Sequence, residues 1–143
     1  MAQQLPARRH RPLARDTRGA VLVEFALAAP ILLMILMGII GYGGYFWRAH
    51  ALQQAANDGA RAALGGLTAA ERASIARDTI RSDLAALGSI APARVAIQVA
   101  ERSGTIDVAI AYDGSAEPFL ALGLVPLPDP VIRREASVRL GGL

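Results

Sequence analysis

The sequence predicts an α+β protein with a long N-terminal apolar helix, a second amphipathic helix and a small antiparallel sheet of about three strands. Three observations carry this prediction. No charged residue occurs between Phe25 and Trp47. Apolar residues recur every three or four positions over residues 69–87, which is the helical period. After Arg94 they alternate with polar residues, which is the period of a half-buried strand.

The apolar segment, residues 20–47, is long enough to cross a membrane. Its uncharged part, from Phe25 to Trp47, would span about 34 Å as a helix, against a hydrocarbon core of about 30 Å. Pro30 should bend or loosen the helix near its start, which membrane helices tolerate. We therefore expect a transmembrane helix here.

The charges and aromatic residues around this segment predict its orientation. Residues 1–19 are polar and are expected to be a disordered leader; they hold five of the fifteen arginines and one acid, Asp16. An aromatic belt followed by an arginine is expected at the far membrane surface: Tyr42, Tyr45, Trp47 and Arg48. We expect a cytoplasmic leader at 1–19, a transmembrane helix at 20–47 and an extracytoplasmic domain at 48–143. The last 124 residues hold ten arginines and eleven acids, so a nucleic-acid partner is not expected.

One carboxylate, Glu24, lies at the start of the apolar run. A charge in hydrocarbon is costly unless a partner neutralises it, so an ionisable residue there is a functional hypothesis. A cut after Gly19 would create an α-amino group on Ala20, one helical turn from Glu24. Gly19 and Ala20 are thus the candidate processing site, and Glu24 with Phe25 the candidate assembly contact.

Three other interpretations of this N-terminus stay open. An uncleaved signal anchor explains the apolar run and the arginines, but not the spacing between Gly19 and Glu24. A cleaved secretory signal could use Ala49-His50-Ala51, although the apolar run before it is longer than such signals require. The pair Arg8-Arg9 suggests a twin-arginine signal, but the residues after it do not fit that motif.

Helical character continues from Arg48 to about Leu64, and Gly65-Gly66 then ends it. One face of this stretch carries a small residue at every fourth position. Such a face allows either tight packing of the helix on the chain's own sheet or close contact between helices of two subunits. The four residues of this small-residue stripe are Ala51, Ala55, Gly59 and Ala63.

A second helix is predicted over residues 69–87. Thr68 and Glu71 form a capping-box pattern at its start, and Gly88 is expected to end it. Its predicted buried face is Ala73, Ala76, Ile80, Leu84 and Leu87. Its predicted solvated face is Arg72, Arg77, Asp78, Arg81 and Asp83.

The remaining chain predicts strands. Residues 94–100 and 105–112 alternate apolar and polar side chains, and the turn-like stretch Glu101–Gly104 between them predicts a hairpin. Glycine and proline make residues 113–130 mostly loop, within which the apolar stretch 119–125 could cover the core. A third strand is expected over residues 131–140, with Ile132 or Val138 facing inward.

No constellation of catalytic residues is evident. The chain has no cysteine, which excludes disulfides, thiol nucleophiles and cysteine zinc sites. Its histidines, His10 and His50, lie in the leader and beside the membrane segment. The serines lack a nucleophile-elbow context, and the strand-flanking Asp107 and Asp113 do not by themselves form an acid–base pair or a metal site. We expect a protein that is not an enzyme and needs no cofactor or metal.

Three segments together resemble the TadE-like family, the minor pseudopilins of tight-adherence (Flp-type) type IV pilus systems: Arg18–Pro30, Gly38–Tyr42 and Leu52–Arg61. The resemblance covers about residues 18–63. It includes the glycine before the cut, the Glu-Phe pair, the proline after it and the Gly-Ala-Arg end. One departure is Gly41, where relatives often carry an acid.

The resemblance implies a protein of the bacterial inner (cytoplasmic) membrane, with a single pass and the N-terminus in the cytoplasm. A prepilin peptidase would cut after Gly19, and Glu24 would then pair with the terminal amine of a neighbouring subunit. The implied partners are the membrane, this peptidase, other pilin or pseudopilin subunits and the pilus assembly machinery, in a system for cell adhesion or secretion. The alternative is an uncleaved anchored protein whose outer domain binds a partner and never enters a filament.

Overall fold

The structure is a computed structural model, and it describes residues 17–117, 126 and 128–141. The apolar stretch 119–125 and most of the predicted leader, including His10, lie outside these residues. Two helices, α1 (Thr17–Ala62) and α2 (Ala69–Leu87), precede three strands, β1 (Val95–Arg102), β2 (Thr105–Asp113) and β3 (Val131–Arg139). This confirms the α+β prediction.

The chain divides into two compact units, one ending at Ile35 and the other beginning at Leu36. The first unit contains the start of α1. This helix begins at Thr17, so the last three residues of the predicted leader are helical rather than disordered. Pro30 lies inside the helix, which continues past it. The predicted end is confirmed, because a 3-10 turn over Ala63–Gly65 follows α1 and an extended Gly66 ends it.

The core of the second unit lies where the last four turns of α1 meet α2 and the sheet. Leu52 and Ala56 of α1, together with Ile80 of α2, have no exposed surface. The approach of the two helices is close at Gly59, where an added Cβ would lie 2.6 Å from Ile80 Cγ1. A larger residue at this position would collide with α2.

The small-residue stripe therefore serves the chain's own packing at three of its four positions. Ala55, Gly59 and Ala63 are buried, while Ala51 is half-buried. Packing on the chain's own sheet was one of the two expectations for this stripe. The close contact at Gly59 is instead with α2. Contact between subunits through Ala51 stays a prediction.

Helix α2 has the predicted ends. Thr68 Oγ1 accepts a hydrogen bond from the Glu71 amide at 3.2 Å, and Gly88 ends the helix with a left-handed φ of 63°. Leu84 is buried as predicted, but Leu87 is 42% exposed because it belongs to the last turn. The prediction that Leu87 faces the core was wrong.

Three residues that the sequence assigned to the solvated face of α2 are not on open surface: Arg72, Arg77 and Asp83. Arg72 is mostly buried and forms a two-pronged ion pair with Glu101, at 2.9 and 3.0 Å. Asp83 is half-buried, and one of its carboxylate oxygens is fully buried with no hydrogen bond among the described residues. Burial raises the pKa of Asp83, and the nearby carboxylate of Asp58 on α1 raises it further.

The sheet is antiparallel in the order β1-β2-β3. Strand β1 runs to Arg102, so the hairpin turn is shorter than the predicted Glu101–Gly104. The turn has only two central residues, Ser103 and Gly104, with φ of 48° and 74°. Two consecutive left-handed residues match the twist of a hairpin, which favours glycine here.

One face of the sheet packs on the helices. Val108 of β2 is buried between Val99 of β1 and Ala136 of β3. Ile132 is buried and Val138 is half-buried on this same face, so both candidate inward residues of β3 face the core. Ile106 and Ile110 are buried as expected. The three-stranded prediction is confirmed.

We predict that Gly59→Val lowers the free energy of unfolding by about 1–3 kcal/mol, the usual cost of overpacking a core. A branched side chain there meets Ile80 and the Ala76 carbonyl oxygen, which lies 3.1 Å from the position of the Cβ. Urea unfolding of the full chain in detergent micelles, followed by circular dichroism, measures this. Gly65→Ala is the control, because a Cβ there meets nothing within 4 Å. Equal stability of the two variants would contradict the close approach of α1 and α2.

We predict that Asp83→Asn stabilises the fold at pH 7, by about 0.5 kcal/mol as for relief of a like-charge pair. Since folding raises the pKa of Asp83, the folded state holds the proton more tightly than the unfolded state. The stability from this proton is complete below the unfolded pKa of about 3.9 and is lost as pH rises through the folded pKa. The stabilisation of Asp83→Asn relative to the wild type should therefore appear only as pH rises from about 3.9 through the folded pKa of Asp83.

Urea unfolding at several values between pH 4 and pH 7 tests this dependence. Asp78→Asn is the matched control, because Asp78 lies on the exposed side of the same helix beside Arg81. A loss of stability in Asp83→Asn at pH 7 would show that the carboxylate is favourable as a charge.

Candidate processing and assembly site

Helix α1 carries all four residues of the candidate processing and assembly site in its first turns. Gly19 is half-buried, while Ala20, Glu24 and Phe25 are exposed. Ala20 and Glu24 are four positions apart, so they lie on one face with an axial separation of about 6 Å. The predicted relation of these two residues thus holds in the helix as it stands.

The space around Gly19 is open. An added Cβ would meet no atom within 4 Å, in contrast to Gly59. Glycine at this position is therefore not required by packing within the described chain. A requirement for a small residue here would have to come from another protein.

Glu24 has no partner within the part of the chain that the structure describes, where no hydrogen bond or ion pair involves it. Its neighbours on the helix are apolar and exposed, with Val23 at 62% and Phe25 at 67%. The site thus presents one carboxyl group on an exposed apolar helix surface.

The exposed apolar surface continues along the helix. Most large apolar side chains between Val21 and Trp47 are exposed by about half or more, Leu27 among them at 70%, while Met37 and Tyr45 are half-buried. Within the described residues, one helix is long and apolar enough to cross a membrane, and it lies within Gly19–Gly65. Its most apolar stretch is not covered by the rest of the protein. This supports a single membrane span.

A partly buried ion pair at the end of the apolar segment is not evident from the local sequence. Arg48 Nη2 donates to Glu117 Oε2 at 2.8 Å, and both side chains are about 15% exposed or less. The Tyr112 hydroxyl donates to the other oxygen of Glu117. Burial raises the pKa of Tyr112, and the hydrogen bond to Glu117 adds to the rise.

The sequence drew attention to only one of the two residues of this ion pair. Arg48 follows the aromatic belt and was interpreted as a membrane-surface residue. Glu117 lies 69 positions later, beyond the end of β2, and nothing local connects the two. Tyr42 forms a similar long-range contact, since its hydroxyl donates to the Pro126 carbonyl oxygen at 2.7 Å. Tyr42 and Arg48 thus each contact a residue that lies between β2 and β3, Pro126 and Glu117 respectively.

No group of three or more histidine, aspartate or glutamate side chains that could hold a metal occurs among the residues described.

Comparison with known protein families identifies the first part of the chain. Residues 19–61 match the model of the TadE-like protein family. The match begins at Gly19 and ends at Arg61, within α1, and this confirms the resemblance drawn from the sequence. Neither the curated proteins nor the solved structures contain a match. The family match does not extend to α2 or to the sheet.

Proposed function

We propose that this TadE-like chain is a membrane-inserted minor pseudopilin that is cut after Gly19 and takes part in assembling a tight-adherence (Flp-type) pilus. One observation carries the proposal: Glu24 lies one helical turn from Ala20, on an exposed apolar helix, with no partner in the described chain. Removal of residues 1–19 would place a positively charged amine on the same helix face.

The cut requires a local opening of the helix. Gly19 is in the first turn of α1, which begins at Thr17. Glycine weakens a helix by about 1 kcal/mol relative to alanine, so this turn is the easiest one to unwind. A Cβ added at Gly19 would meet no atom within 4 Å, so opening the helix here disturbs no tight packing at that position. A prepilin peptidase could therefore bind residues 17–20 without disturbing the folded unit.

Pairing between subunits follows from the energetics of the membrane. In a medium of low dielectric, an ammonium and a carboxylate attract much more strongly than in water. Glu24 of one subunit and the Ala20 amine of the next would neutralise each other and define the axial register of neighbouring helices. Phe25 and the other exposed apolar side chains would supply contact area. The pair would chiefly fix the axial register of neighbouring helices, because the cost of desolvating the two charges cancels much of their attraction.

The remaining chain would face outward. The arginine-rich leader before α1 and the aromatic belt at its far end favour a cytoplasmic N-terminus and an extracytoplasmic folded unit. Before assembly, the protein would lie in the bacterial inner membrane. The folded unit would then be carried on the outside of the filament or of the assembly complex.

A second candidate is an uncleaved, permanently anchored protein whose folded unit binds a partner. One observation favours it: Gly19 lies within a helix that runs without a break from Thr17. An anchor needs no opening of this turn. The two candidates differ in whether residues 1–19 remain on the mature protein.

We predict that the protein extracted from membranes of cells with an active prepilin peptidase begins at Ala20. Intact-mass measurement or N-terminal sequencing identifies the start of the chain. Gly19→Leu should reduce the fraction of processed chain at least tenfold, because a bulky side chain replaces the hydrogen of glycine at the cut. Gly43→Leu is the matched control, since a Cβ at either glycine meets nothing within 4 Å. Residues 1–19 on the mature wild-type protein would support the anchor instead.

We predict that Glu24→Gln and Glu24→Leu insert into the membrane and fold normally but reduce pilus production by tenfold or more. Glu24 has no contact to lose inside the described chain, so its loss should act only between subunits. Alkaline extraction measures insertion, and quantified surface pili measure assembly. Glu135→Gln, which changes an exposed acid of the sheet, is the control. Normal pili in both Glu24 variants would exclude the charge pair.

A further inference from the structure

An open groove of about 410 Å³ lies between α1 and β3, just beyond the apolar segment. Four of its lining residues come from α1 at helical spacing, which places them on one face. The fifth, Arg134, comes from β3. The lining residues are Phe46, Ala49, His50, Gln53 and Arg134.

Arg134 is the charged residue of this groove. It lies on the packed face of the sheet, between Ile132 and Ala136, and is half-buried. Its Nε donates to the Ala49 carbonyl oxygen at 3.3 Å, and its Nη1 donates to the Arg133 carbonyl oxygen at 2.7 Å. The guanidinium is thus held in place by neutral acceptors.

The charge of Arg134 is not compensated within the described part of the chain. No carboxylate there lies within ion-pair distance of it. Arg48 and Arg72, which are buried more deeply, each pair with a glutamate. No acidic residue lines the groove either. A half-buried cation without a counter-ion favours an anionic ligand.

The position of the groove limits what that anion can be. Phe46 and Trp47, at the end of the apolar run, are 61% and 46% exposed. His50 lies three residues beyond Trp47, which is about 4.5 Å along the helix. Aromatic residues of this kind mark the membrane–water boundary, where lipid headgroups lie. The groove therefore opens at the depth of the phosphates.

We propose that this groove binds the phosphate of a membrane phospholipid in the leaflet nearest the folded unit. Arg134 donates charged hydrogen bonds to the phosphate oxygens, and the exposed imidazole of His50 donates a further one. Phe46 lies against the glycerol and the first acyl carbons. The proposal rests on the membrane insertion of α1 that belongs to the proposed function. It adds a specific lipid contact that would fix the height of the folded unit at the membrane surface.

The test uses the full chain in a mild detergent, with dioleoyl-phosphatidylglycerol added in steps and bound lipid counted by native mass spectrometry. Arg134→Gln should weaken binding about tenfold, since it removes a charged donor. Arg133→Gln is the matched control: the neighbouring side chain is exposed on the opposite face of β3, near Asp129. It should bind lipid like the wild type.

A second variant and a lipid without phosphate complete the test. If Arg134→Gln does not fold, His50→Ala replaces it, because His50 is exposed and should fold normally with severalfold weaker binding. Dioleoylglycerol, which has the same chains but no phosphate, should not bind. Equal lipid binding by the wild type and the groove variants would overturn the proposal. Equal binding of dioleoylglycerol, or displacement of lipid by millimolar inorganic phosphate, would do the same.

Membrane insertion is measured separately by alkaline extraction of the same variants. Loss of insertion in the wild type would count against the proposed function, and the lipid site would fall with it. Normal insertion with undiminished lipid binding by Arg134→Gln would overturn the lipid site alone.

Discussion

The constraint on which the structure depends is that α1 meets two environments along its length. Up to Trp47 most of its large apolar side chains are exposed, and from Leu52 they are buried by α2 and the sheet. The most apolar stretch of the helix is not covered by the rest of the described chain. An exposed apolar surface of this size is typical of contact with a membrane or with another protein. Membrane insertion and the proposed assembly between subunits would each cover it.

Where α1 passes from its exposed apolar stretch to its packed part, polar side chains of the helix form hydrogen bonds and an ion pair with the rest of the chain. Arg48 begins the folded side and is held by Glu117, whose second oxygen accepts from Tyr112. Breaking such a partly buried pair is costly because the remaining charge loses its partner. On the neighbouring face, Gln53 donates to the Glu135 carbonyl oxygen at 2.8 Å. These contacts attach β3 and Glu117 to the helix just beyond the end of the apolar run.

Glycine illustrates how one residue type serves opposite purposes in one helix. Gly19 is surrounded by open space, and Gly59 is in such close contact with Ile80 that a Cβ would not fit. The local sequence does not show which of the two glycines is in close contact with another element. Which of them serves the fold becomes visible only when α2 lies against α1. The open one then remains available for a role outside the chain.

The sequence by itself determined the elements, because their signals are local. Hydrophobic period, the Thr68 cap and Gly88 predicted α2 to the residue, and alternation predicted the three strands. It also determined the spacing of Ala20 and Glu24, since four residues make about one helical turn. Tertiary structure alone decided which polar residues are buried. Arg72, Asp83 and Arg134 obtain their surroundings from residues distant in the chain, and no local pattern encodes such contacts.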